Sequence, residues 1–313
     1  MDRKELAVMN NPIVIIWRKQ EGFTLVELLI ALGLSSIAAG MVIYVFLSQQ
    51  ESYTAQIRVS ALQQNLRTAM NVLSRDIRMA GYCTSPDKET YTDYIDWDPR
   101  KSGTDEFLPM IHGINNILGI RKYRQQTDVI LLVKASEERR KLSATEHASA
   151  NGNALFMNSL DLDDDGNEDF SMIGSPFGVI MKSDFSDSQL FKIMQKGPPV
   201  RVAKPFRTAY AEGDIVARAD IIIYRIDDAN TSFSQSVLER KNTGNGNQFQ
   251  VVAEGITDLQ LRYILNDARI VEDPREEEKE ICAVEVCLTG EVEIGRREKR
   301  TRSLVTVLKI RNT

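Results

Sequence analysis

The sequence predicts an α+β protein in which one long N-terminal helix, transmembrane and then amphipathic, packs on a largely antiparallel β-sheet domain. Three observations predict it. Residues 23–47 form an apolar run holding a single charge, Glu27. No proline occurs between Phe23 and Ser85. Beyond residue 126, short segments of alternating apolar and polar residues follow one another, separated by turn-forming residues.

The apolar run comes first. Its 25 residues would make a helix of about 37 Å, enough for a hydrocarbon core of about 30 Å. Arg18 and Lys19 precede it and would hold that side in the cytoplasm, so the rest of the chain is exported. A plain signal anchor satisfies these facts. So does a secretory signal peptide cut after Ala38, although the strongly apolar stretch Met41 to Leu47 would then form the new terminus. Neither accounts for Glu27. A carboxylate in hydrocarbon costs roughly 2.5–3.5 kcal/mol on insertion scales. Cleavage after Gly22 would explain it. Phe23 becomes the terminus, and Glu27, one turn in, can pair with the free amine of Phe23 on a neighbouring helix. In low dielectric that attraction is strong and sets the axial register between subunits.

The run Gly22-Phe23-Thr24-Leu25-Val26-Glu27 resembles the cleavage and methylation motif of type IV prepilins. The resemblance implies that a membrane-embedded aspartyl prepilin peptidase cuts between Gly22 and Phe23 and N-methylates Phe23, and that Glu27 serves assembly. Glu21 departs from the basic residue common at that place. Residues 1–22 are then a leader, a shorter one if Met9 is the start.

After the apolar run, Ile57, Leu62, Leu66, Met70, Leu73 and Ile77 recur at spacings of three to five, an amphipathic stripe with Arg58, Arg67, Arg75 and Arg78 between. Gly81 and Pro86 give a stop. One helix from Phe23 to about Ala80 is expected, within an N-terminal helical region 23–82. Residues 62–82, with the phrase RDIRMAGY, resemble PilW-like minor pilins and the J-type pseudopilins of type II secretion. Asp76 and its neighbouring arginines read as pairs on the helix surface.

Residues 83–126 are mixed and read as a variable loop region with short elements inside it. A β-rich globular domain, 127–313, follows. Strands are expected at 127–136, 153–161, 177–184, 190–196, 219–227, 234–242, 257–267, 282–290 and 303–311, with 219–227 and 234–242 forming a hairpin. The resemblance makes the whole pilin-like.

Within that domain, Asp161, Asp163, Asp165 and Asp169 with Gly166 follow the first nine positions of a calcium loop, and the carbonyl of Asn167 would be the seventh. Position twelve is Met172, so the bidentate glutamate is missing. Weak Ca2+ binding and a plain solvated acidic turn both fit. Asp164 and Glu168 read as bystanders. The acidic run 272–280 and the basic run 295–302 read as two charged hairpin loops, with docking to a neighbouring subunit, or DNA contact by the basic run, as the functional alternatives. The formal net charge of −5 does not favour nucleic acid as a partner, and none is expected.

Cys83, Cys282 and Cys287 include no CxxC pair, which disfavours structural zinc. Cys282 and Cys287 are too far apart along a strand, about 16 Å, for a disulfide with each other. A bridge from Cys83 to either stays open. No GxSxG, HExxH or phosphate-binding loop occurs, so an enzyme is not expected.

The resemblance implies a minor pilin that helps initiate, or caps, a type IV pilus. A J-type pseudopilin is the near alternative. A membrane-anchored periplasmic calcium-binding adhesin or enzyme is the distant one. The implied partners are prepilin peptidase, other minor and major pilins, and the inner membrane. The implied location is a single pass in that membrane with a periplasmic domain, then the filament at the cell surface.

Overall fold

The computed structural model describes residues 23–82, 90–91, 107–108, 110–116, 124–170, 176–228, 235–245, 248–274, 277, 280–295 and 298–311. The expected leader with Gly22 and Met9, Cys83, Met172 and most of 83–126 lie outside them.

Helix α1 spans Leu25–Arg78. Thr24 caps it. Its Oγ1 accepts from the Glu27 N–H at 3.2 Å, and its carbonyl accepts from Leu28 N–H at 3.1 Å. This leaves Glu27 in the first turn, where the helix dipole favours a carboxylate. Ser36, inside the apolar run, bonds back to the Leu32 carbonyl at 2.8 Å. The expected end near Ala80 resolves into a turn over Met79 and Ala80, then Gly81 at φ +73°. A Cβ on Gly81 would lie 2.0 Å from Met110 Sδ. Gly81 N–H donates to the Val133 carbonyl at 2.8 Å, tying the helix exit to the sheet.

The chain divides into two compact units, Met1–Tyr53 and Thr54–Thr313, and α1 contributes to both. In the first, residues 23–53 are all exposed. In the second, α1 buries Leu62, Leu66, Met70, Leu73 and Ile77 of the stripe read from spacing, together with Ala69 and Asp76, while Ile57 of that stripe is exposed.

The described strands of the second unit are β1 (Thr90–Tyr91), β2 (Phe107–Leu108), β3 (Ile111–Ile114), β4 (Val129–Lys141), β5 (His147–Ala148), β6 (Ala154–Phe156), β7 (Phe177–Met181), β8 (Ser188–Gln195), β9 (Val200–Val202), β10 (Ile215–Asp227), β11 (Val237–Asn242), β12 (Phe249–Glu254), β13 (Ile256–Leu265), β14 (Ile270–Val271), β15 (Ile281–Glu293) and β16 (Lys299–Lys309). Every described pairing between them is antiparallel. The fold is α+β, as expected.

Strand β10 organises the larger sheet. Along one edge it pairs with β4, with a bulge between Ala217 and Ala219. The other edge is shared. Residues 215–218 pair with β7, and 222–227 pair with β11 in the expected hairpin. The smaller sheet runs β14-β13-β15-β16. One core joins the α1 stripe to both sheets through Ile222, Tyr224 and Leu238 on one side and Leu259, Leu261, Val284, Val286 and Leu288 on the other. Gly290 lets the helix approach closely, because a Cβ there would lie 2.7 Å from Leu62 Cδ1. A separate core, with Leu160, Leu162, Phe170, Phe191 and Phe206, underlies the segment that carries the acidic loop.

Two sequence readings are corrected. Lys299, Arg300 and Arg302, read as part of a charged loop, are in strand β16. An outermost strand tolerates charges at exposed positions, so composition alone does not mark a loop there. Asp76, read as part of a surface pair, has no exposed area.

Cys282 and Cys287 lie in β15 as free thiols.

Candidate functional site

Among the described residues, three places are candidates for a functional site. The first is the start of α1. Phe23 is exposed ahead of the helix, Thr24 caps it, and the Glu27 side chain is exposed on the first turn. α1 is long and apolar enough to cross a membrane.

The second is the acidic loop after β6. Leu160 before it, Leu162 in its first residues and Phe170 after it are buried, so the loop is held at both ends. Asp169 closes it twice. Its N–H donates to the Leu160 carbonyl at 3.1 Å, and its Oδ2 accepts from Leu162 N–H at 2.5 Å. Between these ends Asp164 and Gly166 take left-handed conformations, φ +61° and +89°. Carboxylate oxygens of Asp161, Asp163 and Asp169 come within 4.8 Å of one another. Asp161 Oδ2 accepts from Gly166 N–H at 2.9 Å, while its Oδ1 is buried with no hydrogen-bond partner.

Asp165 does not join this group. Its Oδ1 accepts from the Asn167 N–H at 2.8 Å and its Oδ2 from the Asn167 side-chain amide at 3.2 Å. Those bonds hold its carboxyl below the usual range. Asp163 is held above it, by desolvation first and then by the like charges of Asp165, Asp169 and Asp161. Glu168 turns to Lys196. The sequence placed four aspartates and Asn167 in one ligand set; the structure gathers three of them.

The donor chemistry fits a hard divalent cation. Ca2+–oxygen distances are about 2.3–2.6 Å, so two ligands on opposite sides of an ion lie about 5 Å apart, a span compatible with the observed separation.

The third place was not read from the sequence as a site. Asp76 Oδ2 accepts from Tyr224 Oη–H at 2.6 Å and from Arg240 Nε–H at 2.7 Å. Lys134 Nζ stands 4.0 Å from Oδ1. Tyr224 is held well above the ordinary phenol range by burial first, then by the charge of Asp76 and its hydrogen bond. Burial opposes the charge on Arg240, but the bond and charge of Asp76 outweigh it and raise the guanidinium's pKa. The network crosses from α1 to β10 and β11 and anchors the helix to the sheet. The signal was present in the spacing, since Asp76 lies three residues after Leu73 and seven after Ala69 on the buried stripe.

Residues 17–43 match the family model described as the prokaryotic N-terminal methylation motif. No curated protein matches the chain. The matched span covers the last residues of the expected leader and the first part of α1, including Phe23 and Glu27. This match supports a type IV pilin-like or pseudopilin-like protein, and with the apolar helix it is consistent with a single-pass membrane anchor.

Proposed function

We propose that this pilin-like chain is a PilW-like minor pilin that helps to start, or caps, a type IV pilus. The observation that carries the reading is Glu27 in the first turn of an unbroken apolar helix, directly behind Phe23. Prepilin peptidase removes residues 1–22 and methylates Phe23. The chain waits in the inner membrane with residues beyond the apolar run in the periplasm. It then joins other minor and major pilins, its Glu27 meeting the terminal amine of a neighbour. The role is assembly, not catalysis. A J-type pseudopilin would use the same first turn, and a pseudopilus in place of a pilus is the near alternative.

The test separates processing from assembly. Glu27→Val keeps the cleavage junction and leaves the run apolar throughout. The variant is expected to be processed and membrane-held, yet lost from sheared filaments, as measured by immunoblot of both fractions. Equal recovery of wild type and variant in filaments would contradict the role of Glu27.

The acidic loop supports a second reading, weak Ca2+ binding through Asp161, Asp163 and Asp169. The unpartnered Asp161 Oδ1 and the mutual repulsion at Asp163 favour it. Ca2+ should raise the unfolding temperature of the wild type and not of Asp163→Ala. Equal shifts in both would assign the effect to charge screening.

A further inference from the structure

Strand β16 forms one side of the smaller sheet, with β15 its strand neighbour. It is 11 residues long, about twice the usual strand, and its outer edge carries no strand among the described residues. An exposed edge of this length is a template for another strand. Beside it runs a groove of about 550 Å³ whose walls include Arg67, Arg75 and Arg78 from α1, Leu304 and Thr306 from β16, and Arg311. No described carboxylate lines it. Arg75 is 3.8 Å from the buried Asp76, while Arg67, Arg78 and Arg311 have no carboxylate partner among the described residues. On the opposite face of β16, Val305 and Val307 are 55% and 53% exposed.

We propose that this edge binds an acidic, extended segment of a second protein as an added strand. The occupant follows from charge and pleat. Residues 304, 306 and 308 face the helix side, and 303, 305, 307 and 309 face away. In an added strand, alternate side chains fall beside Arg67, Arg78 and Arg311 and must be acidic. Those between them fall beside Val305 and Val307 and must be apolar. A second copy pairing through the same edge is disfavoured. Arg300, Arg302 and Lys309 are exposed on β16, and self-pairing would set like charges opposite one another. The inference stands on this sheet edge and does not depend on the filament reading.

The test uses the full chain in detergent micelles and a fluorescent nonapeptide alternating glutamate with valine, read by anisotropy. Binding is expected, weakened about tenfold by Arg67→Ser combined with Arg78→Ser, a change of about 1.4 kcal/mol. Both arginines are exposed, and an unchanged unfolding midpoint checks that the variant is folded. Methylating alternate backbone nitrogens of the peptide should abolish binding, because it removes the strand hydrogen bonds. No binding at millimolar peptide would overturn the proposal. So would equal binding of the methylated peptide or of a scrambled one. Displacement by a single-stranded oligonucleotide of equal charge at equal concentration would also overturn it, since the groove would then be a general polyanion site.

Discussion

Alanine at position 76 would remove a carboxylate that has no exposed surface and leave two donors facing its place. Arg240 keeps a positive charge with its side chain only 15% exposed, and Tyr224 keeps a buried hydroxyl. Breaking a buried ion pair from one side costs roughly 3–5 kcal/mol, because the remaining charge is desolvated without a partner. For a domain of this size each kcal/mol moves the midpoint by about 2–4 °C, so the loss should be on the order of 10 °C. Tyr224→Phe removes one bond and leaves the ion pair, and should cost about 1.5–3 kcal/mol. The triple variant Asp76→Leu, Tyr224→Phe, Arg240→Met removes the hydrogen-bonded partners together, leaves Lys134 with its side chain 20% exposed, and should recover much of the loss. The assay is thermal unfolding of the full chain in detergent, followed by near-ultraviolet circular dichroism. A cost below about 1 kcal/mol for Asp76→Ala would refute the buried anchor. So would a triple variant less stable than the single one.

Asp128 gives a pH dependence. Its carboxylate accepts from Asn116 N–H at 2.9 Å and Leu261 N–H at 2.7 Å, yet burial pushes its pKa up from 3.8 to about 6. A raised folded-state value means the stabilisation is full below the unfolded pKa and is lost as pH rises through the folded one. Stability should therefore fall between about pH 4 and 6, by about 3 kcal/mol. Asp128→Asn should flatten that segment of the stability profile, and an unchanged slope would contradict the assignment. Gly290→Ala forces a Cβ to 2.7 Å from Leu62 Cδ1 and 2.8 Å from the Gly255 carbonyl. It should cost about 1–3 kcal/mol in denaturant unfolding, with Leu62→Ala restoring only the helix-side share. Ca2+ should protect residues 161–169 from hydrogen exchange in the wild type and not in Asp161→Asn.

The helix and most strands were legible because burial imposes a period. The buried residues Leu62, Leu66, Met70, Leu73 and Ile77 all belong to the predicted stripe, and Leu259, Leu261, Tyr263 and Leu265 are buried on one face of β13 as their alternation required. Elements without a period of their own were not legible. Strands β5 and β9 are two and three residues long, too short to show an alternation, and both pair with β6. Strand β10 begins at Ile215, not 219, because the Ala217/Ala219 bulge breaks the alternation. Asp165 shares the spacing of a ligand but turns to Asn167, and only the left-handed residues Asp164 and Gly166 decide which carboxylates converge. The charge of Asp76 points to the surface, yet its place beside Leu73 and Ala69 on the buried stripe requires burial, and its partners lie about 150 residues away in sequence.

The central claim is that α1 starts as a processed assembly helix. Intact mass measurement of the protein purified from cells with active prepilin peptidase tests it most directly. A chain beginning at Phe23, heavier by one methyl group on its terminal amine, is expected. A chain that keeps residues 1–22, or one that begins within the apolar run after Ala38, would contradict it.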